Sequence, residues 1–181
     1  MEVRSFDDPR TWLDAVAPLL LGDEARHDLA FGIADTLIRH PSVYPSSNLW
    51  AVEGDAGVVG AALQTPPHNV AIARPAEPGV TEALARAIRV AGIDLPGVTG
   101  ADPEARDFGD AWQRLTRCTV RHVIGQGVYR LDVVREVPTT PGGPRRAAGP
   151  GDLDLIMGWM VAFDEEVVPP EIRGDPEHRS E

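Results

Sequence analysis

The sequence predicts an α/β fold with a mixed, mostly antiparallel sheet flanked by helices. Three observations carry that expectation. Three short apolar runs, Leu49–Glu53, Val58–Gln64 and Val70–Ala73, are separated by turn residues, the mark of consecutive strands. The third run leads into a stretch of helical period, Glu82–Ala91, so a strand feeds a helix. Two further helical stretches precede the first run, placing helices on both sides of the sheet in sequence.

In chain order, Asp7-Asp8-Pro9 reads as a helix start, an acidic cap followed by proline in the first turn. Trp12, Val16, Leu19 and Leu20 then share a face. Gly22-Asp23 is expected to end this helix and cap the next, in which Leu29, Ile33 and Leu37 recur every four residues until His40-Pro41. After the loop Pro45–Asn48 come the three strands. Gly54-Asp55-Ala56-Gly57 supplies hairpin chemistry between the first two, and Thr65–Asn69 separates the second from the third. Thr81 is placed to cap the following helix, with Leu84, Ala87, Ile88 and Ala91 inward and Gly92 at its end.

Gly97–Gly100 reads as a short strand. Asp102-Pro103 opens a helix with Phe108, Trp112 and Leu115 on one face. Thr119–Ile124 and Val128–Val134 read as two last strands around Gly125-Gln126-Gly127, a hairpin turn or bulge rather than a phosphate loop, because no helix follows it. The expected organisation is a domain over residues 1–136, a Pro/Gly-rich linker over 137–151, and a segment over 152–181. In that segment Asp152 caps a broadly apolar helix, Leu153–Val167, and a polar tail from Glu171 is expected to be disordered.

Composition narrows the function classes. The chain has 181 residues, 43% hydrophobic, enough for one well-buried domain. No apolar run approaches the roughly 18 residues of a membrane span. The first residues, Met1–Asp8, lack a basic region followed by an apolar core, so no signal peptide and no membrane partner are expected, and the location is expected to be cytoplasmic. The net charge is −11 and every basic residue is arginine, which argues against nucleic acid as a partner. A single cysteine, Cys118, excludes an internal disulfide framework.

The order helix, helix, three strands, helix, strand, helix, strand, strand resembles the GCN5-related N-acetyltransferase (GNAT) family. Val58–Arg74 ("VVGAALQTPPHNVAIAR"), Ala91–Trp112 and Gly127–Val134 are similar to the N-terminal, degenerate half of two-domain bacterial members. Arg145–Glu166 is similar to the opening of their second, catalytic half: a short strand, an acidic cap, a first helix. The resemblance implies a GNAT-like (acyl-CoA N-acyltransferase) fold, acetyl transfer from acetyl-CoA to an amine at the level of the family, and a chain that stops about one helix into the second half.

The departures from the family pattern set the functional expectation. Active members carry Gln/Arg-x-x-Gly-x-Gly/Ala between the fourth strand and the next helix, where successive N–H groups hold the cofactor pyrophosphate. Here the segment is Arg74-Pro75-Ala76-Glu77-Pro78-Gly79; two prolines remove two donors and Glu77 repels phosphate. Trp112 stands where many members place a tyrosine that protonates the departing thiolate, and an indole N–H does not do this at neutral pH. The chain is therefore expected to be the non-catalytic half, with acetyl-CoA implied by the family but not bound, and with no catalytic, cofactor or metal residues.

The remaining polar residues read as structural. Cys118, with Arg117 and Arg121 beside it, is expected to be a half-buried structural thiol. His27, His40, His68, His122 and His178 form no metal-binding spacing, and His68 is expected to be a solvent-exposed loop residue. Asp164-Glu165-Glu166 reads as a solvated helix face. An alternative function is a non-enzymatic interaction module in which helix 153–167 docks on another chain, a second copy or a separate catalytic half.

Overall fold

The computed structural model describes residues 1–136 and 146–168. The chain divides into two units, Met1–Arg121 and His122–Glu181. The first carries β1 (Glu2–Phe6), α1 (Pro9–Leu21), α2 (Asp28–Arg39), β2 (Asn48–Gly54), β3 (Gly57–Gln64), β4 (Val70–Ile72), α3 (Val80–Val90), β5 (Val98–Thr99) and α4 (Glu104–Thr116). The strands form one open sheet in the order β1-β2-β3-β4-β5, antiparallel up to β4, with β5 parallel to β4. This is the mixed, mostly antiparallel sheet expected from the sequence.

Both faces of the sheet are covered, which is why β2 and β3 read as nearly continuous apolar runs. Trp12, Val16 and Leu20 of α1, with Ala34 and Leu37 of α2, pack on Leu49, Ala51, Ala61 and Leu63. On the other face Val80, Leu84 and Ile88 of α3, with Phe108 and Ala111 of α4, pack on Trp50, Val52, Ala62 and Val70. A bulge makes Val59 an extra residue: Val52 pairs with Gly60 and Glu53 with Val58. The indole N–H of buried Trp12 donates to the Trp50 carbonyl at 2.9 Å and fixes α1 against the sheet.

Capping chemistry was legible at some helix ends and not at others. Asp8 caps α1 as expected, its carboxylate accepting from the Thr11 N–H at 2.7 Å. Gly92, at φ 71°, ends α3 in the left-handed conformation that its lack of a Cβ allows. Asp23 does not cap α2: the chain turns through Asp23–His27, with the His27 N–H donating to the Asp23 carbonyl, and α2 begins at Asp28. Thr81 lies inside α3, whose cap position is Gly79. Leu115 and Leu29, expected on buried faces, are exposed.

β1 is an element that the sequence reading lacks. Glu2-Val3-Arg4-Ser5-Phe6 shows no clear alternation, because it is an edge strand whose register against β2 runs from Glu2↔Glu53 to Phe6↔Leu49. Charged residues suit such an edge; Arg4 pairs with Glu53 at 3.2 Å and lies over the Phe6 ring.

The two last expected strands are not strands. Residues Thr119–Ile124 and Val128–Val134 are irregular and exposed, so Gly125-Gln126-Gly127 is not a hairpin turn. Tyr129, Leu131 and Val133 alternate with Arg130 and Asp132, the period of a half-buried strand, yet none of these residues joins the sheet.

The second unit contains α5 (Leu153–Val167), preceded by a 3-10 turn at Pro150–Asp152. The helix is where the sequence put it, but Asp152 reaches backwards. Its carboxylate accepts from Arg146 Nη2 at 2.7 Å and from the Gly149 N–H at 2.8 Å, and caps no N–H of α5. The linker residues 137–145 and the tail 169–181 lie outside the described residues. Among the described residues no helix is long and apolar enough to cross a membrane.

This turn has a pH signature. The Arg146 hydrogen bond, then that of Gly149, lowers the Asp152 carboxyl from 3.8 to about 2. A depressed carboxyl supports the folded turn above its unfolded value and loses that support as pH falls through the folded one. The Gly149 amide proton is therefore expected to shift between about pH 4 and pH 2 and to stay constant from about pH 5 to 8. An NMR titration with no change in the acid window would show that the turn is not held this way.

Candidate functional site

In open α/β sheets, ligands bind beyond the C-terminal ends of the strands, where connections diverge. The parallel pair here is β4 and β5, matched at Val70↔Val98 and Ala71↔Thr99. Beyond β4 the chain runs Ala73–Gly79 into α3, and a cavity opens at this junction. It is lined by Arg26, Arg74, Pro75, Ala76, Glu77, Pro78, Asp102, Pro103, Glu104 and Asp107. The sequence reading singled out the β4–α3 junction; the Arg26 turn and the start of α4 are brought to it by folding.

The backbone of the junction is largely committed. The Arg74 N–H donates to His27 Nε2 at 3.0 Å. The Ala76 N–H donates to the Val59 carbonyl at 2.8 Å. Pro75 and Pro78 have no N–H. From Arg74 to Pro78, only the Glu77 N–H has no acceptor among the described residues. The cap of α3, Gly79, has φ 84° and makes no side-chain hydrogen bond, which leaves the first N–H groups of α3, with the Arg74 guanidinium, as features favourable to an anion.

The side chains oppose an anion. Two arginines face four carboxylates in the cavity wall. Arg26 is held by Glu104, Nη2 to Oε2 at 2.7 Å and Nε to Oε1 at 3.1 Å, and donates to the Asp102 carbonyl at 3.2 Å. The Glu104 hydrogen bond raises the Arg26 guanidinium above its ordinary value, so the cation is fixed and engaged. Arg74 is exposed and makes no ion pair among the described residues. The Glu77 carboxylate leans over the β2–β3 hairpin, where a Cβ on Gly54 would meet its oxygens at 3.2 and 3.3 Å.

His27 is the hidden organiser of this corner. It is buried, and its two ring nitrogens are both used: Nε2 accepts from Arg74, and Nδ1 lies 2.8 Å from the Leu20 carbonyl. A carbonyl only accepts, so Nδ1 carries the proton and the ring is the neutral tautomer. One side chain thus joins the end of α1 to the end of β4. The sequence reading gave His27 no role; its signal was weak, a histidine among turn residues. Glu104 had a clearer one, because it lies four residues before Phe108, on the buried stripe of α4.

The other singled-out residues form no second centre. Trp112 is partly buried and stacks on Phe108, ring centroids 6.2 Å apart and planes at 11°, as a core residue should. Cys118 is exposed rather than half-buried, because Arg117, at φ 60°, ends α4 and turns the chain outward. It borders an open depression with Asp110, Gln113, Arg114 and Arg117; Arg121 is not part of it. His68 is exposed, its ring centroid 6.1 Å from that of Tyr44 with the planes at 85°. His178 lies outside the described residues. Among those described, no three His, Cys, Asp or Glu side chains are grouped to hold a metal ion. No family model, curated protein or solved structure matches the chain.

Proposed function

We propose that this chain is a GNAT-type domain without acetyl-transfer chemistry, the non-catalytic half of an N-acetyltransferase architecture. Three features support the reading. The order α1, α2, β2, β3, β4, α3, β5, α4 is the first part of the element order on which the sequence resembles that family; the two last strands of that order are absent among the described residues. The strand-to-helix frame is kept at the place where active members hold the acetyl-CoA pyrophosphate. Trp112, partly buried and stacked on Phe108, has no ionisable proton to donate at the position where the resemblance implies a tyrosine.

The observation that carries the loss of function is the used-up donor set of Arg74–Pro78. A pyrophosphate needs several converging N–H groups and a positive surround. The junction offers one free N–H within that segment, two prolines, and a wall with more carboxylates than guanidiniums. These residues do not fit the cofactor. Titration calorimetry with acetyl-CoA is expected to give no saturable heat, with Kd weaker than about 1 mM. Micromolar affinity would overturn the proposal.

A further inference from the structure

We propose that His27 is a proton-released latch: charging its ring frees the Arg74 N–H and loosens the corner where the end of α1, the β4–α3 junction and the start of α4 meet. The latch does not depend on the non-catalytic reading, since its parts are the ring and the two backbone groups it joins.

The ring holds the corner only while it is neutral. Nε2 accepts from the Arg74 N–H at 3.0 Å, and Nδ1 donates to the Leu20 carbonyl at 2.8 Å. A charged imidazole carries a proton on both nitrogens. Nδ1–H keeps its carbonyl, but Nε2–H then points at another N–H. One hydrogen bond becomes two opposed donors, so the ring cannot be charged and stay where it is. Burial adds to this: His27 is 4% exposed, and an unpaired charge there is costly.

No carboxylate is placed to offset that charge. Among the described residues none forms an ion pair with the ring. Asp23, in the same turn, and Glu104, at the start of α4, act on Arg26. Asp102 pairs with Arg106, and Glu77 lies against the β2–β3 hairpin. Glu24 and Asp28, on either side in sequence, make no ion pair to the ring either. The last turn of α1, residues 18–21, carries no charge, and the remaining charges at the corner, Arg26 and Arg74, are cations.

The connections carry the effect beyond one bond. His27 ends the turn that begins at Asp23, and Arg26 in that turn holds Glu104 by two hydrogen bonds. When the ring leaves the Arg74 N–H, the turn that braces α4 loses its tie to the end of β4. Release also returns a donor to Arg74–Pro78, where only the Glu77 N–H otherwise has no acceptor among the described residues. Histidine is the side chain that changes charge nearest neutral pH, which suits a ring in this place to sensing acidification. The support given by the neutral ring is present at high pH and is lost as pH falls and the ring is charged.

Amide exchange of the full chain, followed by NMR as pH is lowered, tests the latch, with the charge state of the ring read from its own nitrogen shifts. The Arg74 amide, corrected for the intrinsic exchange rate, is expected to lose protection at least about tenfold as the ring becomes charged. The Trp12 indole N–H, bonded to the Trp50 carbonyl in the core, is expected to keep its protection over the same range. His27→Gln, whose amide oxygen can accept from Arg74 but does not titrate, is expected to make Arg74 protection independent of pH. Constant Arg74 protection while the ring takes up its proton overturns the proposal. So does equal loss at Arg74 and Trp12, which is unfolding of the whole unit, and so does an unchanged pH response in His27→Gln. A ring that stays neutral until the unit unfolds overturns it as well.

Discussion

Gly60→Ala is expected to lower the unfolding free energy of the chain by about 3 kcal/mol in urea titration. A Cβ at Gly60 would lie 2.2 Å from Val80 Cγ1, with Val52 Cγ2 and Cβ at 3.3 and 3.4 Å on another side. Val80 and Val52 are themselves buried, 1% and 0% exposed, so neither can move aside into solvent. Gly60 is thus required for space: its backbone is ordinary strand, and it lets α3 approach β3 closely. The cause can be isolated with a second substitution. Val80→Ala alone removes buried methyl groups and costs about 1–2 kcal/mol. In the Gly60→Ala background it is expected to restore stability, giving a favourable coupling of at least about 1 kcal/mol in a double-mutant cycle. Additive losses would show that the β3–α3 contact is not what selects glycine.

Gly60 also shows what the sequence reveals and what it withholds. A glycine inside the run Val58–Gln64 signals a bulge or a close backbone approach, and both are present, yet nothing local says that Val80 is the residue approaching. The same limit applies to the sheet. Leu49–Glu53, Val58–Gln64 and Val70–Ala73 were recognisable because each buries both faces, and apolar content reports burial directly. β1 was not recognisable because an edge strand with charges on it looks like a polar terminus; its partner, β2, is more than forty residues away. Val128–Val134 erred in the opposite direction. Its residues alternate as a strand's do, but a strand is defined by its paired ladder, and residues 128–134 pair with no strand among the described residues.

The candidate site was legible in its frame and its prolines only. Pro75, Glu77 and Pro78 lie within one run of four residues, and the donors that the two prolines lack follow from their chemistry. The rest of the site is assembled from distant turns. Arg26 and Glu104 are 78 residues apart, and His27 and Arg74 are 47 apart. Pair interactions of this kind leave at most a one-sided trace, such as a glutamate on the buried stripe of α4. They also explain why Asp23 does not cap α2. The turn Asp23–His27 is used to carry Arg26 and His27 into position, and tertiary contacts there outweigh the local capping preference.

Arg26→Ala is expected to cost about 3–4 kcal/mol, because it strands a carboxylate whose side chain is 5% exposed. Arg26 itself is 27% exposed, so solvent screens the pair only in part. The large value comes from the unpaired partner rather than from the ion pair. Replacing both residues with apolar ones of similar size, Arg26→Met with Glu104→Leu, is therefore expected to return stability to within about 1 kcal/mol of the original or above it. Urea titrations of the two single variants and the double variant decide this. A double variant as unstable as Arg26→Ala would mean that the guanidinium's bond to the Asp102 carbonyl, rather than Glu104, sets its value. The same proteins test whether the corner is a brace or a masked anion site. If Arg26 serves only to hold α4 to the turn before α2, millimolar pyrophosphate leaves the unfolding midpoint of the unsubstituted chain unchanged. A midpoint that rises with pyrophosphate, and does so only when Arg26 is present, would mean that the guanidinium exchanges Glu104 for phosphate and that the cavity retains an anion site.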